Sequence, residues 1–290
     1  MPEGPEVRRE ADAIARALRG RPIVRADYRV PGLHDRARIL EGARVTRAWS
    51  RGKAMLIAFD TGIVHYSHNQ LYGRWIVAPA DREPDAGRTV RVVLATTRRA
   101  AILYSATDVA LIAHGDLGAH PFLARLGPDA LDRTTTAAGI AARLADRRFA
   151  RRTLGHLLLD QAFVAGIGNY LRSDILHAAG LRAVDRPVDL GSDAIARLAR
   201  AILALPRQSY RTAGVTNDAV RERLNHLLDD EDARLVARNT SEACTYLWRL
   251  HQSGKLELDL KPINLAVGYH LPCHLKALGV GSPGEQLLRL

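Results

Sequence analysis

The first residues of the chain carry groups whose types and spacing suit chemistry on an aldehyde-like carbon. The sequence opens with MPEGPE, and removal of Met1 before a small residue would expose the secondary amine of Pro2. An α-amine has a pKa of about 7.7–8.0, so a useful fraction is neutral and nucleophilic at physiological pH. Such an amine can form an iminium with a carbonyl-like carbon, and the adjacent Glu3 can act as a general acid. A proline-rich cap before a helix is the structural alternative.

Lys53 is the second residue that the composition singles out. It is the only lysine before residue 255, in a chain with 42 Lys and Arg residues. Its ammonium is compact and can titrate, whereas a guanidinium stays charged. The position in Arg51-Gly52-Lys53, at the start of a predicted strand, favours a chemical role, although an ordinary surface lysine fits the same pattern.

Two short segments are candidates for contact with nucleic acid. The segment SHNQLYG, residues 67–73, is a polar and then aromatic turn that could enter a base stack where a nucleotide is extruded. The alternative is a hairpin turn whose Leu71 and Tyr72 pack on their own sheet. The segment GIGNYLR, residues 166–172, could hold a phosphate with Asn169 and the amides at the start of a helix, or it could be a plain helix–helix turn.

Periodicity predicts the elements that must position these residues. Residues 5–19 have helical spacing, and strand-like runs punctuated by Gly and Pro follow until about residue 112, which predicts an antiparallel sandwich or barrel. The predicted strands are residues 23–29, 43–49, 54–59, 63–67, 74–77, 89–94 and 101–104. Helical spacing returns at 136–146, 153–163, 169–180 and 189–205. We therefore expect an α+β protein with a β domain at 1–120, a helical domain at 121–216 and an atypical segment at 217–290.

Composition limits the classes of protein to consider. No apolar run approaches the roughly 20 residues of a membrane-spanning helix, and the charged N-terminus lacks the apolar stretch of a signal peptide. With only two cysteines, the sequence predicts a cytoplasmic protein without disulfides or membrane partners. The net charge of +11 favours an anionic partner such as nucleic acid, although an arginine-rich proteome gives the same excess. Residues 1–216 hold 33 basic and 21 acidic residues, whereas residues 217–290 hold 9 and 10.

Six ordered segments resemble the Fpg/Nei family of DNA glycosylases, and most closely its endonuclease VIII branch, which has the same Gln-Leu-Tyr. They are MPEGPE, RGKAMLIAF, YSHNQLYGRW, HPFLARLGPD, LLLDQAFVAGIGNYLRSDIL and LPRQSY, and they cover about residues 1–215. The resemblance implies an N-terminal β-sandwich and a helix-two-turn-helix domain, with DNA in the cleft between them.

The resemblance also implies an activity and its residues. Pro2 would be the nucleophile that forms a Schiff base with C1′ of a damaged nucleotide, Glu3 the proton donor and Lys53 a second acid. DNA contacts are implied for Gln70, Leu71, Tyr72, Arg125 and Asn169. The implied function is base excision repair of damaged double-stranded DNA by a monomer at the nucleoid: removal of oxidised pyrimidines, then β- and δ-elimination at the abasic site.

The tail departs from the pattern of the family. Family members usually end in a zinc finger with two CxxC pairs, and this chain has no CxxC. Cys244 and Cys273 lie 29 residues apart, and the spacing of His251, His270 and His274 is not that of a finger. We therefore expect the zinc finger to be missing, and these residues predict neither the structural zinc of the family nor another cofactor. The segments around both cysteines resemble a cysteine-rich repeat of iron–sulfur oxidoreductase subunits, which predicts a sequence junction at about residues 217–232.

Three functions remain open from the sequence. The leading one is a bifunctional DNA glycosylase and abasic-site lyase. The main alternative is a damaged-DNA binding protein that has lost strand cleavage together with its finger. A redox subunit, acting through the tail, is the third. The first two share salt-sensitive DNA binding and differ in whether the strand is cut.

Overall fold

Within the residues that the structure describes, eight strands form two four-stranded antiparallel sheets. The structure is a computed structural model, and it describes residues 2–216 together with 250, 252 and 253. The strands are β1 (Arg25–Tyr28), β2 (Val45–Arg51), β3 (Ala54–Phe59), β4 (Ile63–His68), β5 (Arg74–Pro79), β6 (Val90–Ala95), β7 (Arg99–Tyr104) and β8 (Asp108–Ala113). One sheet has the strand order β1-β6-β7-β5 and the other β2-β3-β4-β8. The predicted β-sandwich is confirmed.

Strand β3 is buried on both of its faces. Met55 and Ile57 lie in the core between the sheets, whereas Ala54 and Leu56 pack with Leu123 from the segment that follows the sheets. Successive side chains of a strand point to opposite faces, so an apolar run of this kind is fixed from both sides. The turn between β2 and β3 is therefore attached to a rigid strand.

Helix α1 (Gly4–Leu18) packs on the core of the sandwich. Its buried side chains include Val7, Ala11, Ile14 and Leu18, which recur at helical spacing and join the inter-sheet cluster. This amphipathic pattern agrees with the helix predicted over residues 5–19. Because the helix is anchored along its length, the residues at its first turn are held at a fixed place beside the sheets.

The helical part follows the sandwich in the same compact unit, Met1–Asn217. Its α-helices are α2 (Ala137–Ala145), α3 (Leu154–Leu157), α4 (Asn169–Ala179) and α5 (Ser192–Thr212), with 3-10 turns at Arg36–Leu40, His114–Ala119, Leu123–Arg125 and Pro187–Asp189. Helices α2, α4 and α5 share one apolar cluster that includes Ile140, Leu171 and Ile202. No helix in the described part of the chain is long and apolar enough to cross a membrane.

Three predictions of secondary structure differ from the fold. Strand β8 was not predicted, because the burial of its side chains does not alternate clearly. The helix predicted over 153–163 was wrong beyond its first turn, since Asp160 Oδ1 accepts the N–H of Ala162 at 2.9 Å and competes with helical bonding. Helix α5 continues through Pro206 to Thr212, seven residues beyond the predicted end at 205.

Candidate active site

Glu3 occupies the N-cap position of α1, directly after the candidate nucleophile Pro2. Its backbone is extended, and its N–H donates to Glu6 Oε2 at 2.9 Å. This is one half of a capping box, which fixes the direction in which the chain enters the helix. Pro2 is half-buried and borders a cavity. The first turn of α1 therefore holds Pro2 and Glu3 in a defined orientation.

Three backbone amides at the start of α4 hold the Glu3 carboxylate. Gly168 donates to Oε2 at 2.6 Å, Tyr170 to Oε1 at 3.0 Å, and Leu171 to Oε2 at 3.4 Å. Amides at a helix N-terminus have no partner within the helix and favour negative charge. Glu3 is only 2% exposed, so it caps α4 from inside the protein and cannot swing into solvent.

Burial and nearby charges shift the pKa of the Glu3 carboxyl in opposite directions. Burial raises the pKa of the Glu3 carboxyl above its ordinary value, while the positive charge of Lys53 and the three amides lower it. Burial is the largest influence, and a carboxyl whose pKa is raised keeps its proton to higher pH. This is the property that a general acid near neutral pH requires.

Glycines allow the backbone segments of the site to touch. The N–H of Gly4 donates to the carbonyl of Gly166 at 2.8 Å. Gly166 has φ of +100°, a backbone conformation that residues with a side chain rarely adopt. A Cβ on Gly168 would lie 2.3 Å from Cδ of Glu3. The predicted turn at residues 166–168 is therefore a close backbone approach between α1 and the start of α4.

Lys53 follows a turn that Asp129 fixes. The N–H of Gly52 donates to Asp129 Oδ2 at 2.7 Å, and the N–H of Leu131 donates to Oδ1 at 2.8 Å. Lys53 is 6% exposed, and burial lowers its pKa while the negative charges of Glu3 and Glu6 raise it. The alternative interpretation of Lys53 as an ordinary surface lysine was wrong, because its ammonium is buried and interacts with the carboxylates of Glu3 and Glu6 at the start of α1.

A second polar group lies beside the first and was not predicted. The Tyr170 hydroxyl donates to Glu6 Oε1 at 2.9 Å and lies 2.8 Å from Ser209 Oγ. Since the single hydroxyl proton of Tyr170 is given to the carboxylate, Ser209 must be the donor to Tyr170. Glu6 and Ser209 lie in two of the segments that resemble the Fpg/Nei family, MPEGPE and LPRQSY. Nothing in the spacing of these segments indicated that the two residues lie close together.

We call residues 69–73, between β4 and β5, the wedge loop. The N–H of Gly73 donates to the carbonyl of Asn69 at 2.6 Å, which closes the loop at its base. Leu71 and Tyr72 are 57% and 65% exposed, so the alternative in which they pack on their own sheet was wrong. Gln70 has φ of +50°, and its Oε1 accepts the Thr107 hydroxyl at 2.9 Å. The loop thus presents two large apolar side chains to solvent.

The two candidate phosphate ligands are both exposed. Asn169 is the first residue of α4, next to the amides that bind Glu3. Arg125 lies in a 3-10 turn, where its Nε donates to the carbonyl of Pro121 at 2.9 Å. Both side chains are accessible to a ligand, that of Arg125 through the guanidinium nitrogens other than Nε, and their role as phosphate contacts stays a prediction.

An open cavity of about 920 Å³ extends from Pro2 along α1 towards the wedge loop. Its walls include Glu6, Leu71 and Tyr170. They also include the guanidinium-bearing residues Arg9, Arg16, Arg74, Arg88 and Arg211. Five arginines against the three carboxylates of Glu6, Glu10 and Asp12 leave an excess of positive charge, which favours an anionic ligand, and the candidate nucleophile stands at the edge of the opening.

Metal ligands are not gathered in the part of the chain that the structure describes. No group of three or more His, Cys, Asp or Glu side chains there could hold a metal ion. The predictions for Cys244, Cys273, His251, His270 and His274 lie outside the described residues. The described residues therefore neither confirm nor replace the family's zinc finger, and the resemblance of the tail to iron–sulfur subunits has no support.

Comparison with protein families finds two matches along the chain. The formamidopyrimidine-DNA glycosylase N-terminal domain matches residues 1–108, and the H2TH domain of the same glycosylase matches residues 126–219. Glu3, Lys53 and the wedge loop fall in the first match, and the amides that hold Glu3 fall in the second.

Known proteins are similar over most of the chain. Endonuclease 8 from Klebsiella pneumoniae (strain 342) is 46% identical over 218 residues, which cover 75% of this chain and 83% of that protein. Endonuclease 8 from Shigella flexneri is 44% identical with the same coverage. Among solved structures, Lactococcus lactis Fpg in complex with DNA containing N7-benzyl-Fapy-dG has a TM-score of 0.65 at 19% identity, covering 74% of this chain and 81% of that one. The last comparison establishes similarity of fold.

Proposed function

The chain belongs to the Fpg/Nei family of DNA glycosylases, and we propose that it excises oxidised pyrimidines from damaged DNA and then cuts the abasic strand. It is a base excision repair glycosylase and abasic-site lyase of the endonuclease VIII type, as its relatives at 44–46% identity support. One observation carries the proposal for the site. Glu3, which directly follows Pro2, accepts hydrogen bonds from the backbone amides at the start of α4 and is attracted by the positive charge of Lys53.

Pro2 is proposed as the nucleophile. Once Met1 is removed, the lone pair of its nitrogen attacks C1′ of the damaged nucleotide, and the base leaves with the electron pair of its bond to C1′. The Pro2 nitrogen loses its proton and the departing base takes up a proton. Transfer of a proton to the ring oxygen of the sugar then breaks the bond between C1′ and that oxygen, which opens the ring and leaves an iminium. Subsequent β- and δ-eliminations break the two C–O bonds that join the sugar to its phosphates.

Glu3 and Lys53 are proposed as the acids of this sequence. Glu3 is buried and its pKa is raised, so it can hold the proton that the sugar oxygen receives. The pKa of Lys53 is lowered by burial, and its ammonium gives up a proton more readily than a surface lysine. Lys53 would protonate a leaving group in the elimination steps. Both acids are held in place by backbone amides, directly for Glu3 and through Gly52 and Asp129 for Lys53.

The wedge loop and the exposed polar residues are proposed to bind the DNA. Gln70, Leu71 and Tyr72 would occupy the space that the extruded nucleotide leaves, and the exposed apolar tips favour this role. Arg125 and Asn169 would contact phosphates. We further propose that the protein acts as a monomer on nucleoid DNA in the cytoplasm.

Trapping with borohydride tests the proposal. Borohydride adds hydride to an iminium, so protein without Met1 should crosslink to a duplex that contains an abasic site. Mass spectrometry of the N-terminus establishes that Met1 is gone, and Pro2→Gly should weaken the adduct sharply. A gel shift without crosslink or strand cutting would support the damaged-DNA binding protein instead and would refute the enzymatic proposal.

A further inference from the structure

Glu10 joins the wedge loop to α1, the helix that begins just after Pro2 and Glu3. Its Oε2 accepts the side-chain amide of Asn69 at 2.7 Å, and its Oε1 accepts the backbone N–H of Trp75 at 3.3 Å. Asn69 precedes the three residues Gln70–Tyr72, and Trp75 follows them by three positions. One carboxylate on α1 thus holds the first residue of the wedge loop and the strand β5 that follows it.

The base of the loop is stiff, whereas its tip is exposed. Asn69 is 2% exposed and its carbonyl accepts the N–H of Gly73 at 2.6 Å. A Cβ on Gly73 would lie 2.3 Å from that carbonyl oxygen, so the loop is closed as tightly as a glycine permits. The other contacts of the tip, from Thr107 to Gln70 and from Arg88 to the carbonyl of Tyr72, involve exposed groups. The direction of the tip therefore depends on how its base is attached.

A half-buried, partly desolvated carboxylate at the wall of the cavity costs stability, which indicates a purpose other than packing. Burial raises the pKa of Glu10 to about 7, against the opposing effects of Asn69, Trp75 and Arg74. An apolar side chain would fill the same space without that cost. Carboxyl groups with strongly shifted pKa values cluster at functional sites.

We propose that Glu10 is a positioning residue for base extrusion: with Asn69, it fixes the wedge loop on α1 so that the wedge enters the duplex in register with Pro2. The proposal rests on the proposed glycosylase function and adds to it a residue that does not touch the reacting atoms. Helix α1 then fixes the distance between the wedge loop and the candidate nucleophile, because Pro2 and Glu3 directly precede the helix that carries the anchor Glu10.

Three variants separate a role in positioning the wedge loop from a contribution to the stability of the fold. Glu10→Leu keeps the volume and removes both bonds. Glu10→Gln is the matched control, because its amide oxygen can accept from Trp75 and its NH₂ can donate to Oδ1 of Asn69, a buried atom without a partner among the described residues. Asn69→Ala removes the other half of the contact.

Two substrates distinguish positioning from a general effect on the fold. A general effect would lower activity on both substrates equally, whereas loss of positioning would lower it on the duplex alone. Single-turnover excision is measured on a duplex with an oxidised pyrimidine, and borohydride trapping is measured on a single strand with a preformed abasic site. The single strand has no base pair to open and no stack to enter. A 2-aminopurine placed opposite the lesion reports unstacking by its fluorescence.

We expect Glu10→Leu and Asn69→Ala each to slow duplex excision about tenfold, the effect of losing a hydrogen bond to a charged group. Both should leave trapping on the single strand within about twofold, and the double variant should lose little more than either one, since both act through one contact. Glu10→Gln should retain duplex excision and the 2-aminopurine signal.

Equal losses on both substrates, or full duplex excision by Glu10→Leu, would overturn the positioning role. Failure of the unaltered protein to trap on a duplex with an abasic site would overturn the proposed function instead, so the two failures are distinct.

Discussion

Oε2 of Glu3 lies 2.6 Å from the backbone nitrogen of Gly168, 165 residues further along the chain. This bond connects the first turn of the helix on the sandwich to the first turn of a helix in the following domain. It orients the candidate acid and at the same time caps α4. The same contact therefore orients Glu3 and joins the start of α1 to the start of α4.

Gly168→Ala should disable the site without unfolding the protein. The added Cβ would lie 2.3 Å from Cδ and Oε1 of Glu3, and the carboxylate, which is buried, must move. Misplacement of a catalytic group by about 1 Å costs about a hundredfold in rate, so excision and trapping should fall by that order. Gly118→Ala is the control, because a Cβ there meets nothing within 4 Å. Full activity of Gly168→Ala would show that the clamp does not set the geometry of Glu3.

Lys53→Met should raise the pKa of Glu3 further. The ammonium is the strongest influence that lowers this pKa, and methionine keeps the apolar length of the side chain without its charge. Titration of the Glu3 carboxyl by carbon-13 NMR measures the effect directly, whether or not the variant is active. The control is Arg51→Met, which removes an exposed cation two positions away. An unchanged titration in Lys53→Met would contradict the coupling of the two groups.

Leu71→Ala and Tyr72→Ala should separate activity from stability. Because these side chains are 57% and 65% exposed, the free energy of unfolding should change by no more than about 0.5 kcal/mol. Duplex excision should fall about tenfold if each fills part of the gap in the base stack, since one stacked base is worth roughly that factor. Val24→Ala, at a residue 52% exposed in the same sandwich, should change neither quantity. A loss of stability equal to the loss of activity would instead place the two residues in the core.

Glu10→Gln should remove a pH dependence of stability. The pKa of Glu10 is raised from its ordinary 4.5 to about 7, so the folded state binds this proton more tightly than the unfolded chain. The stability from Glu10 is fully present below pH 4.5 and is lost as pH rises through about 7. Relative to the unaltered protein, Glu10→Gln should therefore gain about 3 kcal/mol in unfolding free energy between those values.

Chemical denaturation at a series of pH values checks the prediction for Glu10. The matched control is Glu41→Gln, which removes a carboxylate from an exposed position. A constant difference between Glu10→Gln and the unaltered protein across this range would show that Glu10 is not buried in its charged form.

Much of the site could be predicted from local pattern. The N-terminal proline, the acid beside it and the single early lysine are unusual in type, and a polar-aromatic turn between apolar strands marks the wedge loop. The sandwich followed by helices could also be predicted, because alternation and helical spacing report which faces are buried. The helix over 153–163 was predicted wrongly because side-chain bonds of Asp160 and Gln161 to the backbone compete with helical bonding.

The contacts that give these residues their properties were decided only by the tertiary structure. Gly52 meets Asp129 across 77 positions, Asn69 meets Glu10 across 59, and Tyr170 meets Glu6 across 164. A pattern in the sequence reports on neighbours within a few turns or strands, whereas a pKa depends on which charges and amides lie within a few ångströms. The sequence by itself determined which chemical groups the site contains. Packing of α1, the β2–β3 turn and α4 decided that Glu3 is buried, that Lys53 faces it, and that the wedge loop is anchored to the helix that follows the candidate nucleophile Pro2.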